Sequence, residues 1–339
     1  MRDSSRSVAV VGGGSWGTAL AIHLARAGFQ VPLWAHDPER AHEMVAHREN
    51  RTYLADFRLP EGVHPSSDLE QVLRREDLVI WVVPARFCRE LFRRAASLLH
   101  RRVRLVIATK GIEPGTGLRM SEVALESLSM VPKAVAALAG PGFAREVARG
   151  DPTAGVLGCA DPAEGERLQE ELSQGSYRFY TNRDLVGVEL GGALKNVIAL
   201  AAGVVEGLGY GSNTTAALMT RGLSEVTRLG VACGGSASTF AGLAGMGDLV
   251  MTCTGRLSRN RTVGVQLGFG KPLSEILEGM KMVAEGVPTT SAALLLAQRH
   301  RVDMPITTSV EALMAGKISA QEAVATLMKR PLKGEDAWN

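Results

Sequence analysis

The chain has 339 residues, with 38 Lys and Arg against 35 Asp and Glu, so its formal net charge is +3. This length is typical of two domains, and 45% hydrophobic residues are enough for a sizeable core. The values exclude a disordered or collagen-like chain. The small net charge and the low aromatic content, 5%, argue against a nucleic-acid partner.

The spacing of the cysteines bears on the cellular compartment of the protein. Cys88, Cys159, Cys233 and Cys253 show no C-x-x-C spacing, so the sequence predicts neither a metal site nor a disulfide framework. Free thiols fit a reducing cytoplasm. The N-terminus has no signal-peptide pattern, and the longest apolar run, Val197–Val205, is too short to span a bilayer. We therefore expect a cytoplasmic protein without stable membrane association.

The first half of the chain alternates short apolar segments with segments of helical length. Continuous apolar strands separated by helices are typical of a mostly parallel sheet that is covered on both faces, a doubly wound α/β domain. The predicted strands are Val8–Val11, Val31–Trp34, Leu78–Val83, Arg104–Ala108, Ala134–Ala139 and Thr153–Gly158.

The second half has a different pattern. From Leu185 onward we find long stretches rich in Ala, Leu, Val and Met with helical spacing, and glycine-containing loops interrupt them. The sequence therefore predicts two domains, an α/β domain over 1–184 and an all-helical domain over 185–339.

A glycine-rich segment follows the first predicted strand. Gly12, Gly14 and Gly17 have the spacing G-x-G-x-x-G, with Ser15 and Trp16 between the last two, and a helical pattern follows. The glycines permit a tight turn, close approach of a pyrophosphate and close helix packing, and the helix N-terminus attracts the phosphates. This position predicts a Rossmann-type dinucleotide-binding fold.

The end of the second predicted strand bears on the choice of cofactor. An acid at this strand tip often binds the ribose 2′-hydroxyl of NAD, whereas here Ala35 and His36 come before Asp37 and Arg40. His36 and Arg40 could receive a 2′-phosphate, and Asp37 could instead bind a hydroxyl. The pattern favours NADP(H), with NAD(H) as the alternative; a solvated turn is the non-functional interpretation.

A dinucleotide-dependent reduction of a carbonyl needs a proton donor. No histidine lies between His100 and His300, the part of the chain with the other candidate motifs, so we expect a lysine of lowered pKa instead. On a helix, Lys195 has Gly191, Gly192 and Ala199 as close neighbours, which leaves room for a ligand. Two glycines within a helix cost about 1 kcal/mol each, which argues for a packing or access reason.

Two segments that follow predicted strands are further candidates. Lys110 comes directly after the strand Arg104–Ala108, at the sheet edge where ligands bind in such folds. The segment Gly140–Ala144 follows the strand Ala134–Ala139 and can offer backbone N–H groups to a substrate. An ordinary loop lysine is the alternative for Lys110.

A polar segment in the second half is typical of an anion site. In Ser258-Arg259-Asn260, arginine supplies a bidentate fork for phosphate, and serine and asparagine add neutral donors. Asp248 cannot donate when ionised, so we expect it to pair with a lysine or to accept from a hydroxyl. The segment Val283–Gly286 could contact the cofactor.

Taken together, these motifs resemble the bacterial NAD(P)-dependent glycerol-3-phosphate dehydrogenases over nearly the whole chain. The resemblance rests on GGGSWGTALA, ATKG, GPGFAREV, GVELGGALKNVIALAAG, GLAGMGDLVMTCTGRLSRNR and MVAEG, in the family's order. It implies reversible reduction of dihydroxyacetone phosphate to sn-glycerol 3-phosphate, a precursor of glycerophospholipids, and a soluble enzyme that is a candidate homodimer.

The resemblance also implies roles for individual residues. Lys195 would exchange the proton, with Lys110 and Asp248 beside it. Residues implied to contact the substrate are Lys110, Gly140, Gly142, Lys195, Asn196, Asp248, Thr252, Ser258, Arg259 and Asn260. Residues implied to lie along the cofactor are Gly12, Gly14, Ser15, Trp16, Gly17, His36, Lys110, Ala144, Arg259, Val283 and Glu285. The family commonly has serine or threonine where Gly142 stands, so a hydroxyl contact is missing there.

Two alternatives share this two-domain plan. A reductase or dehydrogenase of 2-keto or 3-hydroxy acids would need a carboxylate pocket instead of a phosphate site. A dinucleotide sensor without catalysis would need only the glycine loop, whereas this chain also has Lys195, Lys110 and Arg259.

Overall fold

The computed structural model describes residues 6–74, 76–280, 282–332 and 334. It forms two compact units, one of Met1–Thr109 with Met120–Leu185 and the other of Lys110–Arg119 with Val186–Asn339. The segment Lys110–Arg119, which the sequence analysis assigned to the first domain, groups with the second unit. The chain therefore passes from one unit to the other three times.

The first unit is built on an eight-stranded sheet with the order β10-β9-β8-β7-β6-β1-β2-β5. All neighbouring strands are parallel except β8 and β9. A separate antiparallel pair, β3 and β4, lies outside this sheet. The strands are β1 (Ala9–Val11), β2 (Val31–Trp34), β3 (Glu49–Asn50), β4 (Leu54–Arg58), β5 (Val63–Ser66), β6 (Leu78–Trp81), β7 (Arg104–Ile107), β8 (Ala134–Ala139), β9 (Thr153–Cys159) and β10 (Tyr177–Asn182).

All six predicted strands are present, with ends that differ by at most two residues, and the predicted α/β fold class is confirmed. Their apolar runs are buried on both faces, as expected for central strands of a parallel sheet. Sequence analysis missed β3, β4 and the two edge strands. Strand β5 contains Pro65, and strand β10 alternates buried Tyr177 and Phe179 with exposed Arg178 and Tyr180, so neither has a continuous apolar run.

Helices of the first unit connect these strands. Asp37, Asp68 and Asp161 accept hydrogen bonds from backbone N–H groups and cap three of the helices at their N-termini. The helices are α1 (Ser15–Arg26), α2 (Pro38–His47), α3 (Leu69–Leu73), α4 (Ala85–Ala95), α5 (Met120–Ser127), α6 (Ala144–Arg149) and α7 (Pro162–Leu172).

The second unit is helical, and the residues described there contain no strand, in agreement with the predicted all-helical part of the chain. Its helices are α8 (Leu185–Gly207), α9 (Ser212–Ala232), α10 (Ala237–Ala241), a π-helical turn (Leu243–Gly247), α11 (Asp248–Thr254), α12 (Arg259–Gly268), α13 (Leu273–Glu278), α14 (Gly286–His300), α15 (Pro305–Met314) and α16 (Ala320–Met328).

Helix α8 forms the centre of this unit. With 23 residues it is long and apolar enough to cross a membrane by length and composition, but 94% of its most apolar stretch is buried inside the protein. A mostly buried helix of this kind is what the core of a globular unit requires.

Helices α8 and α12 contact each other through glycine backbone. Gly203 and Gly207 on α8 face Gly264 and Gly268 on α12, each pair separated by four residues. A Cβ atom added at Gly264 would lie 2.9 Å from the Cα atom of Gly203, and one at Gly268 would lie 2.9 Å from the Cα atom of Gly207. We call these four residues the glycine seam; it brings the N-terminus of α12 close to the middle of α8.

Candidate active site

Two lysines share one buried carboxylate in the second unit. Asp248 accepts a hydrogen bond from Lys195 Nζ on Oδ1 at 2.6 Å and from Lys110 Nζ on Oδ2 at 2.7 Å. Lys195 Nζ also donates to Thr252 Oγ1 at 2.6 Å, and Thr252 in turn donates to the backbone oxygen of Asp248. An ammonium group has three donors, so Lys195 keeps one N–H for a ligand.

Local backbone geometry brings these groups together. The π-helical turn directly precedes Asp248, the first residue of α11, and such turns occur often at functional sites. A Cβ atom at Gly191 would lie 2.8 Å from the backbone oxygen of Ala244 in that turn. Gly191 therefore allows the turn to pack closely on α8, one helical turn before Lys195. The space expected beside Lys195 is filled by backbone at this glycine.

Burial and charge set the protonation states in opposite directions. Lys195 is only 5% exposed and desolvation is the main reason why its pKa falls from 10.5 to about 8, while the nearby carboxylate of Asp248 opposes the fall. For Asp248, burial acts to raise the pKa, but the two ammonium groups outweigh it and the pKa is lowered. Burial raises the pKa of the neighbouring Cys253 thiol to about 12, so this thiol stays neutral.

Side-chain amides extend the cluster. Asn196 Nδ2 donates to the backbone oxygen of Lys110 at 3.1 Å, and Asn196 Oδ1 accepts from Asn260 Nδ2 at 2.8 Å. Asn260 Oδ1 accepts from the backbone N–H of Gly286 at 2.9 Å. Asn196 and Asn260 therefore hold the backbone of Lys110 and the start of α14 in fixed positions relative to α8.

Arg259 begins α12 and is exposed to solvent. Partial desolvation lowers the pKa of Arg259, and the charge of Glu285 opposes the change. The first turn of α12 has no acidic residue, so the helix N-terminus and the guanidinium both favour an anion. Arg261, by contrast, donates to Glu206 at 2.5 Å.

Other predicted residues of the second unit lie near this helix start. Ser258 is buried, and its hydroxyl accepts from the backbone N–H of Arg261 as the N-cap of α12. Val283 is half-buried and Glu285 directly precedes α14. Ser258 and Asn260 were expected as donors to the substrate; in the structure their side chains also have structural partners.

The glycine-rich loop of the first unit fits a dinucleotide. Gly12 has a φ of +131°, and a Cβ atom there would lie 2.6 Å from the backbone oxygen of Val82. At Gly14 no atom lies within 4 Å of such a Cβ, so this backbone is accessible. Helix α1 starts after Gly14 without a side-chain cap and without an acid in its first turn, which leaves N–H groups for phosphate. Asn50 Nδ2 fixes the loop by donating to the backbone oxygen of Gly13.

Ser15 and Trp16 form the first turn of α1, and Gly17 lies within it. Gly140, with a φ of +106°, directly follows β8, and Ala144 begins α6. A Cβ atom at Gly142 would lie 3.0 Å from the ring of Trp16, so this position contacts the end of the glycine-rich loop. His36 is exposed after the end of β2.

The structure thus brings six of the predicted residues into one hydrogen-bonded cluster, which consists of Lys110, Lys195, Asn196, Asp248, Thr252 and Asn260. Sequence analysis did not identify Asn50 or the contact between Gly286 and Asn260, because neither has a characteristic spacing. Among the residues that the structure describes, no group of three or more His, Cys, Asp or Glu side chains could hold a metal ion.

Comparisons with known proteins agree along the whole chain. Residues 7–164 match the family described as NAD-dependent glycerol-3-phosphate dehydrogenase N-terminus, and residues 184–325 match the corresponding C-terminus. A glycerol-3-phosphate dehydrogenase (NAD(P)+) of Geobacter sp. (strain M21) is 51% identical over 98% of this chain and 99% of its own. The enzyme of the same name from Koribacter versatilis is 50% identical over 96% of this chain and 97% of its own.

Solved structures of similar fold were compared as well. The glycerol-3-phosphate dehydrogenase of Coxiella burnetii is 38% identical with a TM-score of 0.92, covering 96% of this chain and 99% of that protein. A ketopantoate reductase from Ralstonia eutropha has a TM-score of 0.61 at 16% identity, covering 94% of this chain and 99% of that one, which shows a shared fold alone.

A parallel sheet with a glycine-rich first turn, followed by a helical unit with a buried lysine, is the plan of the two-unit dinucleotide-dependent dehydrogenases. The matched ranges and identities then give the family. The chain belongs to the NAD-dependent glycerol-3-phosphate dehydrogenase family.

Proposed function

We propose that this protein reduces dihydroxyacetone phosphate reversibly to sn-glycerol 3-phosphate, with NADPH or NADH as the reductant. The observation that supports this most directly is Lys195, a buried ammonium of pKa about 8 with one N–H that the described residues do not use. The product would serve the synthesis of glycerophospholipids.

The charges of the cluster suit the reduction of a ketone. Two ammonium groups, on Lys195 and Lys110, face one carboxylate on Asp248, so the cluster has a net charge of +1. This positive excess stabilises the negative charge that develops on the C2 oxygen of the substrate. Lys195 then donates its proton to that oxygen, and in the reverse direction it accepts the proton from the C2 hydroxyl.

Asp248 and Thr252 orient the proton donor. Their hydrogen bonds occupy two of the three N–H directions of Lys195, which leaves the third in a defined direction. Asn196 holds Lys110 in place by donating a hydrogen bond to the backbone oxygen of Lys110. The proposed catalytic residues are therefore Lys195, Lys110 and Asp248, supported by Asn196 and Thr252.

The phosphate of the substrate would bind at Arg259. The guanidinium, the start of α12 and the nearby Ser258 and Asn260 offer charged and neutral donors. We propose that Gly140 and Gly142 add contacts to the substrate by backbone donors.

The cofactor, when bound, supplies the hydride. Its pyrophosphate would lie against the loop and first helical turn formed by Gly12, Gly14, Ser15, Trp16 and Gly17, where the backbone at Gly14 is accessible. The remaining proposed contacts are His36, Lys110, Ala144, Arg259, Val283 and Glu285.

A spectrophotometric assay tests this proposal. Purified protein should oxidise NADPH or NADH when dihydroxyacetone phosphate is present. The reaction is followed by the loss of absorbance of the reduced nicotinamide at about 340 nm. Unphosphorylated dihydroxyacetone should be a much poorer substrate, and glycerol 3-phosphate should compete. Equal rates with both ketones, or turnover of a 2-keto acid instead, would contradict the proposal.

We also propose a cytoplasmic location and a homodimer. Among the described residues, no disulfide joins Cys88, Cys159, Cys233 or Cys253, which fits a reducing compartment. Light scattering of the purified protein would measure the mass, and a value equal to one chain would contradict the dimer.

A further inference from the structure

The structure points to Arg40 as the residue that selects NADPH over NADH, an inference that rests on the proposed function. In the first unit the carboxyl end of β2 lies beside the glycine-rich loop. A Cβ atom at Gly13 would be 2.9 Å from the Cβ atom of Ala35, which follows β2. In this fold a nucleotide with its pyrophosphate on the glycine loop has its adenosine ribose at this strand tip.

The acid that could bind a ribose hydroxyl has other partners. Asp37 Oδ1 accepts from the backbone N–H of Glu39 at 3.0 Å and caps α2. Asp37 Oδ2 lies 3.0 Å from Nε of Arg40. Both oxygens of this carboxylate are therefore engaged within the protein, and Ala35, nearer to the strand, has no polar side chain. These partners leave Asp37 fewer acceptor positions for the 2′,3′-diol of a ribose.

Arg40 is held in a defined orientation. Its guanidinium carbon lies 4.8 Å from the ring centroid of Tyr53, in the geometry of a cation–π contact, and its Nε is fixed by Asp37. The ion pair uses one of five guanidinium donors, so the two terminal nitrogens keep theirs for a ligand. The side chain is 36% exposed, within reach of a ligand from solvent.

A planar fork of this kind matches a phosphate group. Two parallel N–H···O bonds from the terminal nitrogens give both charge and geometry, and a hydroxyl offers neither. We infer that Arg40, positioned by Asp37 and Tyr53, binds the 2′-phosphate of NADPH. Exposed His36 lies on the same segment and can add a donor.

The test measures ligand binding to the full-length protein by titration calorimetry. The probes are 2′,5′-ADP and 5′-AMP, which differ only in the 2′-phosphate. The wild type should bind 2′,5′-ADP more tightly than 5′-AMP. Arg40→Ala should lower the affinity for 2′,5′-ADP about 10- to 100-fold, as expected for lost charge-assisted hydrogen bonds. Binding of 5′-AMP should change by less than about twofold, because the probe lacks the group that Arg40 binds.

Arg74→Ala is the matched control. Arg74, at the C-terminal end of α3, also forms an exposed ion pair in the first unit, with Glu70 at 3.6 Å, and its removal should change the affinity for neither probe. Arg40→Lys keeps the charge but not the fork, and it should regain only part of the lost affinity. Circular dichroism of each variant should match that of the wild type.

Steady-state kinetics give a second readout. Arg40→Ala should raise the KM for NADPH and leave the KM for NADH unchanged. The inference would be overturned if the wild type bound both probes with equal affinity. It would also be overturned if Arg40→Ala lost affinity for both probes to the same extent. Binding requires no turnover, so a protein inactive on dihydroxyacetone phosphate would refute the proposed function and leave this test valid.

Discussion

At the scale of single residues, the lowered pKa of Lys195 is the property with the clearest consequences. The group is buried and keeps one donor for a ligand, and a proton donor is most effective when its pKa lies near the working pH. Lysine needs desolvation to reach this range, whereas histidine does not. The carboxylate of Asp248 keeps the pKa from falling further.

The pH dependence of the two directions follows from this value. In the proposed mechanism reduction needs Lys195 protonated, so kcat/KM for the ketone should be constant below a pH of about 8 and fall above it. Oxidation needs the neutral amine, so its kcat/KM should rise up to a pH of about 8 and then level off. Rate profiles measured in both directions check this. A reduction rate that rises through that range would contradict the assignment.

The same shift affects stability. Between a pH of about 8 and 10.5 the unfolded chain holds the proton of this lysine and the native protein does not. The contribution of Lys195 to the free energy of unfolding therefore increases as the pH rises through this range.

Replacing Lys195 tests its role directly. Lys195→Met should lower kcat about 10²- to 10⁴-fold, the usual contribution of a general acid, while the cofactor still binds. Lys133 is a matched control, since it forms an ion pair with Glu164 at 3.0 Å in the first unit and is 44% exposed. Lys133→Met should keep the wild-type kcat. Near-normal turnover of Lys195→Met would remove it from the mechanism.

Arg259 and Arg261 lie on the same helix and allow a second matched comparison. Arg259→Ala should raise the KM for dihydroxyacetone phosphate about 10- to 100-fold through loss of charge-assisted bonds. Arg261→Ala removes an arginine already bonded to Glu206 and should leave this KM unchanged. At saturating cofactor, activity on unphosphorylated dihydroxyacetone should be the same in Arg259→Ala and in the wild type; an equal loss there would argue against phosphate binding.

At the scale of elements, the glycine seam between α8 and α12 determines how closely Asn260 approaches Asn196. Helix propensity alone predicts that Gly264→Ala stabilises the protein by about 1 kcal/mol. In the structure the added Cβ atom would lie 2.0 Å from the backbone oxygen of Leu200 and 2.9 Å from the Cα atom of Gly203. We therefore expect the free energy of unfolding to fall by about 1–3 kcal/mol from overpacking.

Denaturant unfolding of Gly264→Ala measures this effect. Gly165→Ala is the control, because Gly165 lies within α7 and its added Cβ would have its nearest contact at 3.4 Å, with Cys159. This variant should be as stable as the wild type or more stable. If both variants gain stability, the seam does not limit the approach of the two helices.

The elements also show what sequence can predict. The central strands were predicted because their apolar runs are continuous, and the glycine motif because its spacing follows from phosphate geometry. Edge strand β10 was missed since only every second side chain is buried. The role of Gly191 could not be predicted, because the backbone of Ala244 that packs on it is distant in sequence and belongs to a π-helical turn.

At the scale of the whole molecule, the assignment of Lys110–Arg119 to the helical unit is the main departure from a simple division of the chain. Lys110 follows β7 in sequence, but its ammonium bonds to Asp248 and its carbonyl oxygen to Asn196. The far end of the segment is also fixed, since Arg119 donates to Glu189 at 2.7 Å. The hydrogen-bonded cluster of Lys110, Lys195 and Asp248 therefore lies within one unit.

The ion pair of Arg119 and Glu189 provides a test. Glu189 is 6% exposed and Arg119 is 17% exposed. Removing one partner of a fully buried ion pair lowers the free energy of unfolding by about 3–5 kcal/mol, and partial exposure reduces this cost. We therefore expect Glu189→Ala to lower the free energy of unfolding by about 1–3 kcal/mol. Because the segment also positions Lys110, kcat should fall as well. The control Glu126→Ala removes the exposed partner of Arg89 and should have little effect on either quantity.

The position of α8 in the chain has a consequence for biosynthesis. On the ribosome this long apolar helix emerges before α12, so the glycine face that α12 later covers is at first without its partner. Nascent chains with exposed apolar surface are prone to aggregate. Slow translation between the codons for these two helices would prolong that exposure, and folding yield should then depend on chaperones that bind hydrophobic segments.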